Sequence, residues 1–207
     1  MENVTVVNHP LVQRNLARLR DRDTDRGEFR RALADVAMFL GYEAMRDLAT
    51  KPTTVQTPLA PCKARELKRG VLLVPILRAG LGMLDPVLQI VPEAAVGFIG
   101  LKRDEVSLEP VSYYSNVPDD LRDLDVILMD PMLATGGSAI AALDLLRQRR
   151  ARRLRMVNLL AAPEGIRNLR KHYPRLPVFT AAIDKKLNEV GYIVPGLGDA
   201  GDRQFNA

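Results

Sequence analysis

A chain of 207 residues with 47% apolar and 27% charged side chains suits one folded domain and is too apolar for a disordered chain. Its single cysteine, Cys62, excludes an intrachain disulfide and a thiolate metal cluster, and its two histidines, His9 and His172, lie too far apart to favour zinc catalysis. A formal charge of +5, from 30 Lys and Arg against 25 Asp and Glu, suits a small polyanionic ligand as well as nucleic acid.

The opening Met-Glu-Asn-Val-Thr-Val-Val-Asn-His-Pro has neither a basic flank nor a long apolar core. No secretory signal is read there, no apolar run reaches the length of a bilayer span, and the cytoplasm is the expected compartment. Leu11, Asn15, Leu16 and Leu19 form a helical stripe. Asp25 with Glu28 resembles a capping box for a second helix, along which Phe29, Leu33, Val36, Leu40, Ala44 and Leu48 recur at helical spacing. The Pro- and Thr-rich residues 51–61 predict a loop with an edge strand.

From residue 71 the pattern alternates. Short apolar runs at 71–77, 94–101, 125–129, 154–161 and 178–183 predict strands; 81–90, 138–149 and 163–172 predict helices. The fold class expected is α/β, a mostly parallel sheet flanked by helices. Such sheets bind ligands at the carboxyl ends of their strands, where Arg78, Arg103 and Asp130 should converge. Residues 103–124, with Pro110 and Pro118, predict a two-stranded excursion that serves as a flap or hood. The domain expectation is one unit over 1–207: helical to about residue 50, core from about 70 to 190, and a glycine-dense loop from 191 to 207.

The segment Val126-Ile-Leu-Met-Asp130-Pro-Met-Leu-Ala-Thr-Gly-Gly-Ser138 is the most telling. It places a carboxylate at a strand tip and bare N–H groups at a helix start. The first can hold sugar hydroxyls and the second a phosphate, the two functions of a ribose 5-phosphate. No Lys follows the glycines, so this is not a Walker loop. In Val74-Pro-Ile-Leu-Arg78-Ala-Gly-Leu-Gly82, the Arg78 fork can clamp a pyrophosphate. In Gly191-Tyr-Ile-Val-Pro-Gly-Leu-Gly-Asp-Ala-Gly-Asp-Arg203, the string Gly196-x-Gly198-x-x-Gly201 matches a dinucleotide fingerprint. It leaves no room before Ala207 for the required helix and strand. Main-chain groups there can instead cradle a flat polar ring. The basic block at 147–155 is read as the solvated end of the preceding helix, in preference to an RNA-binding patch, because no aromatic residues interleave it.

Taken together, these motifs resemble the type I phosphoribosyltransferases, and the Asp130-Pro131 opening is similar to that of the uracil phosphoribosyltransferase family. The segments Ala161-Ala-Pro-Glu-Gly-Ile166 and Leu108-Glu-Pro-Val111 are similar to that family as well, so the likeness spans nearly the whole chain. The resemblance implies uracil and phosphoribosyl pyrophosphate (PRPP) giving UMP and pyrophosphate in pyrimidine salvage, with Mg²⁺ as cofactor. It implies PRPP contacts at Arg78, Arg103, Asp130, Pro131, Met132, Leu133, Ala134, Thr135, Gly136, Gly137, Ser138 and Asp199. It implies uracil contacts at Ile193, Gly198, Asp199 and Ala200. Catalytic roles fall on Asp130, Asp199 and Arg103, and the metal is held mainly by PRPP, with Asp199 as the protein group nearest to it. A homodimer or higher homo-oligomer is implied; GTP is carried as a candidate activator, and neither membrane nor nucleic acid as a partner. Lys102 departs from the family, standing where many members carry an aromatic residue, and residues 51–69 are unlike its other members. The rival readings are an RNA-binding, pyrimidine-responsive regulator on the same fold and a transferase for another nucleobase.

Overall fold

The computed structural model describes residues 3–103 and 110–206, without the side chains of Arg103 and Pro110. In chain order, β1 (Val4–Val6) leads into α1 (Pro10–Arg20) and α2 (Arg26–Ala44), and β2 (Thr50–Gln56) turns back as β3 (Pro61–Leu67). The alternating part is β4 (Gly70–Leu77), α3 (Leu81–Leu88), β5 (Ala95–Val96), β6 (Ile99–Arg103), β7 (Pro110–Ser115), β8 (Leu124–Met129), β9 (Met132–Leu133), α4 (Gly137–Gln148), β10 (Arg153–Ala161), α5 (Pro163–His172) and β11 (Val178–Ile183). After it come β12 (Lys186–Leu187), β13 (Ile193–Val194) and α6 (Ala200–Phe205).

The main sheet runs β1-β11-β10-β8-β4-β6-β7, with β5 beside β4 and β9 beside β10. Every pairing in it is parallel except that of β6 with β7. The continuous apolar runs of β4 and β8 follow from burial on both faces. Alternate residues feed two cores. Val71, Leu73, Ile127, Met129 and Val157 meet α1, α2 and α3 on one face. Leu72, Val74, Val126, Leu128 and Met156 meet α4 and α5 on the other. Registers Pro75 with Met129 and Val157 with Met129 bring the carboxyl ends of β4, β8 and β10 side by side.

Both N-terminal helices start on side-chain caps. Asp25 accepts from the Glu28 N–H at 2.9 Å. His9 accepts from the Leu11 N–H at 3.2 Å and stacks on Phe39, a role its isolation in the sequence conceals. Caps of this kind contribute about 1 kcal/mol each.

Three expectations need correction. Leu11 is exposed, and Val12 takes its place in the buried stripe with Asn15, Leu16 and Leu19. The strand expected within 51–61 is β2, followed by a turn at 57–60, and it is an edge strand of a separate two-stranded sheet with β3. The 94–101 run breaks around Gly97, whose N–H bonds Leu73 O, and gives two short strands along β4. The basic block does not sit at one helix end: α4 stops at Gln148, and Arg153 and Arg155 already belong to β10. Arg149 pairs with Asp119, and Arg155 with Asp47 and the Ala44 carbonyl, so these cations tie elements together. The expected excursion is an antiparallel β6–β7 pair, while its tip, including Leu108 and Glu109, lies outside the described residues.

Candidate functional site

Asp130 follows β8 directly. Its own N–H bonds Val157 O at 3.1 Å, which fixes it against β10. Burial pushes the Asp130 carboxyl up to about 7; the Met132 N–H bonds to it and opposes the rise, and the nearby Asp199 carboxylate adds to it.

The loop after Asp130 is pinned along β10. Pro131 O accepts from Leu159 N at 2.9 Å and Leu160 N at 3.0 Å, and Leu133 O accepts from Ala162 N at 2.9 Å. Gly136, with φ +86°, is the left-handed residue from which α4 begins. The first-turn N–H groups of α4 lack intrahelical partners and, with the helix dipole, favour an anion. They border a cavity of about 120 Å³ lined by Asp130, Thr135, Gly136, Gly137 and Ser138.

The loop is braced from behind by α5, a support that sequence reasoning misses. Asn168 donates from its side chain to Thr135 O at 3.0 Å. Gly165 lies so close that an added Cβ would sit 2.3 Å from Ala134 O and 2.7 Å from Leu133 O. Only a residue without a side chain permits that approach.

A second cavity of about 360 Å³ adjoins the first, sharing Asp130, Met132, Ala134 and Gly191 with it. Ile193, Gly198, Asp199 and Ala200 form its far wall. The segment expected to be a base cradle therefore does face Asp130. Its end is a short helix: Asp199 caps α6 by accepting from Asp202 N at 2.8 Å. Gly191, absent from the expected site residues, lines both cavities.

Arg78 stands exposed just beyond β4; the neighbouring Ala79, not Arg78, forms the cavity wall. The backbone of Arg103 ends β6, two strands from β8 across β4, and its side chain lies outside the described residues. Among the described residues no three His, Cys, Asp or Glu side chains gather into a metal cluster.

A further cavity, of about 560 Å³, lies at the opposite end of the sheet, among Arg152, Arg153, Arg155 and Arg175. It holds no acid–glycine loop. The paired cavities at the carboxyl ends combine a carboxylate whose pKa burial raises with a helix N-terminus, which makes them the candidate site.

Comparison with known proteins identifies the family of the chain. Residues 6–207 match the family model described as uracil phosphoribosyltransferase. Curated relatives of that name include one from Thermoanaerobacter sp. (strain X514), 49% identical over 99% of this chain and 98% of its own length. Another, from Rhizobium rhizogenes, is 50% identical over 99% of each chain. Among solved structures, the AQ2163 protein from Aquifex aeolicus superposes with a TM-score of 0.92 at 37% identity, covering 98% of this chain and 97% of that one. A purine phosphoribosyltransferase from Pyrococcus horikoshii shares the fold alone, with a TM-score of 0.53 at 16% identity over 74% of this chain and 83% of that one. No helix of the described residues is long and apolar enough to cross a membrane.

Proposed function

Because the chain belongs to the uracil phosphoribosyltransferase family, we propose that it joins uracil to PRPP, forming UMP and releasing pyrophosphate. The observation that carries this reading is the pair of adjoining cavities hinged on Asp130. The smaller suits a 5-phosphate and the larger a planar base, with the ribose between them.

In this reading, the N–H groups and hydroxyls of Thr135, Gly136, Gly137 and Ser138 hold the 5-phosphate. The ionised Asp130 accepts from the ribose hydroxyls. Ile193, Gly198 and Ala200 present main-chain groups to the uracil edge. Uracil N1 forms the new bond to ribose C1 as the C1–pyrophosphate bond breaks, and the N1 proton is lost. Oxocarbenium character builds on the ribose, as in glycoside chemistry. Arg78 and Arg103 offset the charge growing on the leaving group. Fixing N1 against the correct face of the ribose lowers the barrier more than a strong base would.

The donor set fits Mg²⁺: Asp130 and Asp199 line one cleft, and two carboxylates suffice for an ion held mostly by substrate oxygens. When bound, the ion would neutralise pyrophosphate charge, with Asp199 as its protein contact. A homo-oligomer and a cytoplasmic salvage role belong to the same reading.

The test measures PRPP consumption and pyrophosphate release with each nucleobase, with and without Mg²⁺. Uracil-dependent turnover is expected. Turnover with a purine and none with uracil would overturn the reading. The same assay with GTP added tests activation, an expectation carried by family resemblance alone.

A further inference from the structure

The wall facing the base is held by two charged residues to which the transfer chemistry gives no role. Asp184 follows β11, and its side chain is only 6% exposed. Its two carboxylate oxygens meet Arg20, the last residue of α1, in a bidentate pair: Nη1 to Oδ2 at 2.8 Å and Nη2 to Oδ1 at 2.6 Å. The same two side chains grip both main-chain groups of Gly196. The Gly196 N–H donates to Asp184 Oδ2 at 2.9 Å, and Arg20 Nη1 donates to Gly196 O at 2.8 Å. Gly196 is held at φ +63°, where an added Cβ would lie 2.1 Å from Ile193 O. The turn leaving Ile193 is therefore folded tightly against the ion pair.

A second tie runs the other way. Arg203 of α6 donates to Leu197 O at 3.1 Å, to Asp21 O at 2.6 Å and to Leu19 O. Its guanidinium lies 4.3 Å from the centre of the Phe29 ring. These contacts also occupy carbonyls at the end of α1, which the helix itself leaves unpaired. The residues that line the larger cavity, Ile193 and Gly198 to Ala200, thus stand on a segment fastened to α1 at Gly196 and Leu197.

We propose that Arg20 and Asp184 are positioning residues for the base: they set the main-chain groups of residues 193–200 at the spacing that uracil requires. This rests on the reading that uracil occupies the cavity of about 360 Å³. A planar Arg fork on a carboxylate fixes direction as well as distance, which a lysine cannot do. Neither residue lines the small cavity at the start of α4, so the phosphate side is independent of them.

Steady-state kinetics of Arg20→Lys and Asp184→Asn, with melting temperatures alongside, test the proposal. Both substitutions keep side-chain size and remove the fork. The uracil KM should rise about tenfold, the size of one lost charge-assisted hydrogen bond. The PRPP KM and the binding of PRPP alone, measured by calorimetry, should stay unchanged. If neither KM moves, or both rise together with a fall in PRPP binding, the proposal is overturned and the pair is merely structural. Failure of the functional reading would appear in the unaltered protein, as absence of uracil turnover; failure of the positioning role appears only in the variants.

Discussion

Asp130 carries two opposed demands. A ribose hydroxyl needs the ionised carboxylate, yet burial raises its pKa from 3.8 to about 7. For the free enzyme, kcat/KM for PRPP should therefore fall below about pH 7 as the carboxylate gains its proton. Asp130→Asn should lower kcat/KM for PRPP roughly 10- to 100-fold, by loss of a charged hydrogen-bond acceptor, and abolish that acid limb. A variant with near-normal PRPP use would remove Asp130 from the site. The stability effect has the opposite sign. The folded protein keeps a proton between pH 3.8 and about 7 that the unfolded chain has lost, so stability falls as pH rises through that window. Asparagine removes this penalty. The melting temperature of the variant should exceed that of the parent by a few degrees at pH 8, and the gap should close towards pH 4. Thermal scans across that range read the difference directly, and a variant less stable than its parent at pH 8 would contradict it.

At the scale of elements, the loop that begins at Asp130 depends on α5 as much as on its own residues. Gly165→Ala forces a methyl group to within 2.3 Å of Ala134 O, so either the helix or the loop must shift. Overpacking of this kind costs about 1–3 kcal/mol. The PRPP KM should rise several-fold while the uracil KM changes little, because the wall of residues 193–200 is anchored elsewhere. Equal effects on both substrates would mean that the whole cleft, not the loop, responds to α5. Little of this support was legible in the sequence. The strand before Asp130 and α5 itself, found at 163–172 as expected, were marked by apolar runs and by Pro163 at a helix start. Those signals are local, set by periodicity and by backbone rules at a few residues. Gly165, Asn168 and the Arg20–Asp184 pair act across 31 or more positions, and no periodicity announces them. The loop's acid and glycines were readable because their chemistry is written in consecutive residues. The edge strand at 51–61 shows the same limit: Pro and Thr mark an exposed strand but cannot say which strand it pairs with.

For the molecule as a whole, the β2–β3 hairpin is the part that the single chain leaves unexplained. Among the described residues it pairs only with itself, over seven cross-strand partners from Thr50–Leu67 to Gln56–Pro61. Leu59 at its tip is 95% exposed, and Val55 is exposed as well. A lone two-stranded hairpin is marginally stable in water, and apolar side chains at its tip make that worse. A second copy of the chain that covers it would supply the missing burial, in keeping with the homo-oligomer expected for this family. Replacing residues 54–63 with an Asn-Gly turn, closed on the Thr53–Ala64 pair, should cut the molar mass seen by light scattering to that of a single shortened protomer. Both cores lie in the body of the protein, so cooperative melting should persist in the shortened chain. Cys62, the only thiol and exposed on β3, supplies an independent readout in the unaltered protein. Its labelling by a maleimide should slow as protein concentration rises and chains associate. A mass unchanged by the replacement, or labelling indifferent to concentration, would mean that the hairpin stands free and that any association uses another face.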